Sequence, residues 1–284
     1  MVLPNFIVVG SQRSGSTYLH NLLMQHPEVY LPENKELQYF SDKYYKFQKV
    51  DLQVYSSFFS DYREQKAIGE ITPSYMFHEW VPELLYKHLG SIKLIFLLRN
   101  PIDRAYSHYW HEVSKKREWF TFEEAVKKEK ERISTDYCNK KNKSYVERGF
   151  YGKQLSNFLN YFRKENMLIL FSEDLYKDPK TVLKQICMFL GIDPNFNFNF
   201  SVDKHGMPLP KYIRFFRKWV YIKYVWGKNN RIIYRIASLI LNHIPTVVRK
   251  YEEMKFETKE LLQQIYSEDK KLLEKILDKK PLPW

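Results

Sequence analysis

Four apolar residues, Phe6–Val9, run directly into Gly10-Ser11-Gln12-Arg13-Ser14-Gly15-Ser16-Thr17, and the helical stretch Ser16–Gln25 follows without a break. An unbroken apolar run of this kind suits a strand buried on both faces, as in parallel sheets, and a parallel strand needs a crossover to bring the chain back. The pattern recurs: Leu94–Leu98 precedes a helix over Pro101–Lys115, and Met167–Phe171 precedes one over Lys177–Leu190. Ala67–Gly69 is a weaker strand candidate, and Pro82–His88 and Gly152–Lys164 read as helices. Pro101 fits a first helical turn, where its missing N–H removes nothing. Near the end, Leu261, Leu262, Ile265, Leu272, Leu273, Ile276 and Leu277 share one face of a helix over Thr258–Leu277.

The loop after the first strand carries the clearest chemistry. Glycines let a backbone turn tightly and aim successive N–H groups at one point, and the following helix adds its own unbonded N–H groups and positive dipole end. The spacing is that of a Walker A loop, except that Ser16 stands where the lysine belongs and the cation comes earlier, at Arg13. The strand Leu94–Leu98 then ends in Arg99, where a metal-dependent enzyme of this type would place an aspartate. A guanidinium beside a helix N-terminus binds an oxyanion directly and repels a divalent cation. Together the two loops describe a nucleotide site that neutralises charge with arginine and backbone N–H, without a metal. The fold class expected is α/β: a P-loop-type doubly wound parallel sheet flanked by helices, with a helical C-terminal lid.

Charge and composition narrow the rest. The chain has 284 residues, a net charge of +13 and 17% aromatic residues, which excludes disorder and coiled coils and allows a full core. Between Asp203 and Glu252 there is no acidic residue but eleven Lys and Arg, so most of the excess charge lies there. That points to a polyanion, a phosphorylated ligand or an anionic membrane surface, against the plainer reading of solvated helix faces. We expect one domain over 1–284 with 204–251 as a basic lid, and peripheral membrane contact through Trp219–Trp226 as an alternative to lid packing. Cys138 and Cys187 cannot build a disulfide framework, so a reducing, cytoplasmic setting is expected. No apolar stretch approaches the ~20 residues of a spanning helix. His108 and His111 stand three apart without a third ligand nearby, and Cys187 fits a helix's apolar side as an inert thiol.

With these motifs in view, the chain resembles the 3′-phosphoadenosine 5′-phosphosulfate (PAPS)-dependent sulfotransferases, particularly the branch with the heparan sulfate and bacterial carbohydrate enzymes. FIVVGSQRSGSTYLHNLLMQHPEV resembles the 5′-phosphosulfate loop, which implies that Arg13, Ser14, Gly15, Ser16 and Thr17 bind the phosphosulfate. KLIFLLRNPIDRAYSHY resembles the 3′-phosphate motif and implies roles for Arg99 and Ser107. ERGFYGKQLSNFLNYF resembles the Gly-x-Tyr-x-x-x-Leu segment and brings in Tyr151. DKHGMPLPKY is similar to the loop over the adenosine and brings in Lys204, His205 and Gly206. The resemblance implies PAPS as co-substrate, adenosine 3′,5′-bisphosphate as product, and no metal. The acceptor stays open at this point, among a glycan, a lipid-linked saccharide, a protein tyrosine and a small metabolite, and no nucleic acid partner is expected. Gln38 and Ile71 depart from heparan sulfate enzymes, which often carry His and a basic residue there, in regions that meet the acceptor.

Sulfuryl transfer is an in-line displacement that requires alignment, charge stabilisation and deprotonation of the acceptor. Asn34-Lys35-Glu36-Leu37-Gln38-Tyr39-Phe40 resembles the Lys-Glu segment of the family, which makes Glu36 the candidate base and Lys35, with Arg13, its catalytic companions. On the residues alone, the rival account is structural: Asn34 caps a helix and Glu36 complements its dipole. Two other function classes compete: a P-loop nucleotide kinase, which would need Mg²⁺ and ATP, and a non-catalytic polyanion or RNA binder, which would need no nucleotide pocket.

Overall fold

The computed structural model describes residues 1–41, 50–201, 253–278 and 281–284. The basic segment expected to form the lid, with Lys204, His205 and Gly206, lies outside the described residues. Among those described, 1–41, 50–105, 146–201, 261–278 and 281–284 form one compact unit, and 106–145 with 253–260 form a second.

The first unit is built on five parallel strands: β1 (Phe6–Gly10), β2 (Val29–Tyr30), β3 (Ala67–Ile71), β4 (Lys93–Leu98) and β5 (Met167–Phe171), in the order β2-β3-β1-β4-β5. The three strands read from apolar runs form its centre and one side. Ile7, Val9, Leu94, Phe96 and Leu98 enter one hydrophobic cluster, while Phe6, Val8, Ile95 and Leu97 enter the other, as a period of two requires. Helices α1 (Ser16–Leu23) and α10 (Pro179–Leu190) cover the second cluster. Helices α3 (Val81–Leu89) and α8 (Tyr151–Leu159), with the Leu273 side of α11 (Phe256–Ile276), cover the first.

Among the described residues, the remaining α-helices of this unit are α2 (Leu52–Ser57) and α9 (Ser172–Lys177), so the single helix expected over Lys177–Leu190 is in fact the second of two. Asp178 separates them. Its carboxylate accepts the N–H of Thr181 at 3.1 Å, and Pro179 occupies the first turn of α10. Cys187, on the buried side of α10, is fully enclosed, and burial pushes its thiol up to about 11, as expected of an inert cysteine.

Helix α4 (Pro101–Ser114) starts in the first unit and continues into the second, which adds α5 (Phe122–Lys127), α6 (Glu129–Thr135) and α7 (Tyr137–Lys143). The second unit is organised around Glu118, 1% exposed, which accepts from Arg132 at 2.8 Å and from the Tyr145 hydroxyl at 2.7 Å. His108 packs edge-on against Tyr145 with ring centroids 5.0 Å apart.

Candidate active site

Strand order reverses direction at β1: the chain passes to β3 on one side and β4 on the other, and ligands of such sheets bind at the carboxyl ends of strands at that point. The loop Gly10–Thr17 leaves the sheet there. Arg13 (φ +72°) and Gly15 (φ +94°) both adopt left-handed backbone, which only the glycine does without strain. A Cβ on Gly10 would come within 2.5 Å of the Met76 Cβ, so that end of the loop admits no side chain. Among the described residues no side chain caps α1 and none in its first turn is acidic, which leaves its N–H groups directed at an anion rather than at a carboxylate.

The loop is braced from below. The Ser11 N–H donates to the Leu97 carbonyl at 2.7 Å, and the Ser11 and Ser14 hydroxyls are 2.6 Å apart, with Ser14 fully buried. Tyr151, 1% exposed, donates its hydroxyl to the Arg99 carbonyl at 2.9 Å and receives the Ser11 hydroxyl at 3.4 Å. It thereby ties the loop to the end of β4. From above, the Arg99 Nη1 donates to the Arg13 carbonyl at 3.1 Å. Asn100 anchors the same turn: its N–H donates to Glu173 at 2.9 Å and its side chain accepts the Ile102 N–H at 3.0 Å. The two arginines read from separate sequence motifs therefore meet at one loop.

Lys35 and Glu36 join this group. The Lys35 Nζ donates to Thr17 Oγ1 at 2.7 Å, to Ser16 Oγ at 3.4 Å and to Glu36 Oε1 at 3.4 Å. Burial holds the Lys35 ammonium below the usual lysine range; Glu36 opposes that effect and the nearby Arg13 cation reinforces it. Glu36 is not in a helix. Its backbone has φ +63°, its N–H donates to the Ile71 carbonyl at 3.2 Å, and its side chain is 33% exposed. The Asn34-capped helix is thus replaced by an irregular segment pinned to the end of β3, and the dipole-complementing role of Glu36 falls with it.

One residue earlier than that contact, Glu70 is 1% exposed and accepts hydroxyls from Tyr55 at 2.5 Å, Thr72 at 2.6 Å and Tyr75 at 3.1 Å. Burial raises its carboxyl above the usual range, against the pull of those three donors. A cavity of about 410 Å³ is lined in part by Met76, Phe77, Phe150 and Asn157, and Met76 is the residue that touches Gly10.

The structure therefore gathers Arg13, Ser14, Gly15, Ser16, Thr17, Lys35, Glu36, Arg99 and Tyr151 in the first unit. Ser107 falls on the part of α4 that belongs to the second unit, where it is buried. Tyr18 and Tyr176, stacked with centroids 5.6 Å apart, stand beside the loop and were not singled out by the sequence. The position of Tyr176 just past the carboxyl end of a parallel strand was the available signal.

Residues 3–205 match the sulfotransferase domain family, and this chain belongs to it. Among its relatives, mouse bifunctional heparan sulfate N-deacetylase/N-sulfotransferase 4 is 29% identical over 217 residues, covering 69% of this chain and 23% of the relative. Mouse heparan sulfate glucosamine 3-O-sulfotransferase 5 is 31% identical over 208 residues, covering 71% of this chain and 58% of the relative. The chain thus spans from about a quarter to somewhat over half the length of these relatives. In fold it is similar to a sulfotransferase from Alicyclobacillus acidocaldarius, with a TM-score of 0.73, 24% identity, and coverage of 99% of this chain and 98% of that one.

Proposed function

We propose that this chain transfers a sulfuryl group from PAPS to a hydroxyl or amine of a carbohydrate or small-metabolite acceptor. One observation carries the reading: the guanidinium at the end of β4 is bonded to the carbonyl of Arg13, so two cationic elements serve one cradle. The fit is to a doubly anionic ligand. Left-handed backbone at Arg13 and Gly15, an uncapped α1 and the hydroxyls of Ser16 and Thr17 suit the phosphosulfate end, and Arg99 suits the 3′-phosphate. Ser14 and Tyr151 act from beneath, by holding the loop and the end of β4 in register. Ser107, Lys204, His205 and Gly206 keep the nucleotide-binding roles proposed from the sequence.

Glu36 is the base. In the transfer an acceptor O–H or N–H passes its proton to the Glu36 carboxylate, the acceptor atom bonds to sulfur, and the bond from sulfur to the 5′-phosphate oxygen breaks. Lys35, held by Thr17 and Glu36 at once, places a cation between base and loop, where charge grows on the leaving phosphate. For the acceptor, the names of the relatives support a saccharide, and so does the cavity lined in part by Phe77, Phe150 and Asn157, where two aromatic rings and an amide suit a polyhydroxylated ring. The test is incubation with ³⁵S-labelled PAPS and a panel of saccharides and small alcohols and amines. Label should move to an acceptor in the presence of EDTA; transfer of phosphate from ATP, dependent on Mg²⁺, would instead make the chain a kinase.

A further inference from the structure

Tyr176 lies on α9, outside every motif that pointed to the donor. Its ring stacks on Tyr18 with centroids 5.6 Å apart and planes 9° from parallel. Its hydroxyl oxygen would be 2.9 Å from a Cβ on Gly15, so the tip of the phenol lies directly over the left-handed glycine of the loop. The two rings are not equivalent: Tyr18 is 3% exposed and forms a fixed floor, whereas Tyr176 is 42% exposed. Both Arg13 and Arg99 act electrostatically on the Tyr176 phenol, yet burial still holds it above the usual tyrosine range. At neutral pH it is therefore a protonated O–H, a donor beside Gly15 and within electrostatic reach of the two guanidiniums.

We propose that Tyr176 is a donor-binding residue: its ring rests on Tyr18 and its hydroxyl donates a hydrogen bond to the 5′ anion seated in the Gly10–Thr17 loop. The inference rests on the sulfotransferase reading and adds an aromatic hydroxyl to a site otherwise made of cations, the Ser16 and Thr17 hydroxyls and backbone N–H groups. A hydrogen bond to a charged oxygen is among the stronger ones, and its loss should be visible in affinity.

Calorimetric titration of wild type and Tyr176→Phe with adenosine 3′,5′-bisphosphate and with adenosine 3′-phosphate tests it. Phenylalanine keeps the stack and removes only the hydroxyl. The expected result is binding of the bisphosphate weakened roughly ten- to a hundredfold, with the melting temperature of the free protein unchanged. Adenosine 3′-phosphate, which lacks the 5′ anion, should bind both proteins alike. Equal bisphosphate affinity in the two proteins, or an equal loss for both ligands, would overturn the proposal. If the variant melts lower, the donor KM and kcat measured where both proteins are folded decide: a rise in KM alone supports the role, and unchanged KM overturns it. Failure of the wild type to bind the bisphosphate at all would instead overturn the sulfotransferase reading.

Discussion

Glu36 and Glu70 meet at the same strand end, one through a backbone bond to Ile71 and the other as the residue before it in β3, yet their surroundings are opposite. Glu36 is a third exposed, shares a lysine with the loop and sits on left-handed backbone. Glu70 is enclosed and fully served by three hydroxyls. A carboxylate that must take a proton from an incoming group needs access and an incomplete set of partners. One with its acceptor sites filled is a brace, holding the Tyr75 turn against Tyr55. Two acidic residues at one strand end thus have separate tasks, set by what surrounds them.

The largest effect should come from Glu36. Glu36→Ala should lower turnover by ~10²–10⁴, with affinity for adenosine 3′,5′-bisphosphate within about twofold of wild type, in single-turnover assays paired with calorimetry. Equal turnover in the variant would erase the contrast with Glu70. Next, Arg99→Ala should weaken that nucleotide by roughly a hundredfold, since it loses both a charge and a brace on the Arg13 carbonyl. The reciprocal experiment is on stability: Glu70→Ala strands buried hydroxyls and should cost on the order of 3 kcal/mol in urea unfolding, while Glu36→Ala changes it by less than about 0.5.

The smallest effect concerns pH. Because the folded state holds the Glu70 proton more tightly than the unfolded chain does, its contribution to stability is greatest in acid and falls as pH rises through its raised pKa. Glu70→Gln should remove that slope from a series of unfolding curves. A slope that persists would assign it to another group.

Much of this fold could be read from apolar runs, because β1, β4 and β5 consist almost wholly of apolar residues, and β1 and β4 are buried on both faces. β3 was harder to see, since Gly69 and Glu70 interrupt it and the glutamate finds its partners only in three dimensions. The two-residue edge strand β2 leaves no periodic signal. The anion cradle was legible because one loop carries its own glycines and cation, and Arg99 terminates an obvious strand. The helix considered at Asn34 failed because Glu36 and Gln38 take positive φ, which no propensity of those residues announces. Tyr176 was hidden for a different reason: its meaning comes from Tyr18 and Gly15, both far away in sequence and brought close only by the sheet.

The central claim is that one cradle, built by Arg13 and Arg99 together, holds an adenosine nucleotide phosphorylated at both the 3′ and 5′ positions. Thermal unfolding in adenosine 3′,5′-bisphosphate, with EDTA, measures it. Wild type should gain about 2.7 kcal/mol at a hundredfold excess over the dissociation constant. The Arg13→Ala, Arg99→Ala double variant should gain almost nothing. Stabilisation by Mg²⁺ and ATP with no response to the bisphosphate, or an equal response in the double variant, would contradict it.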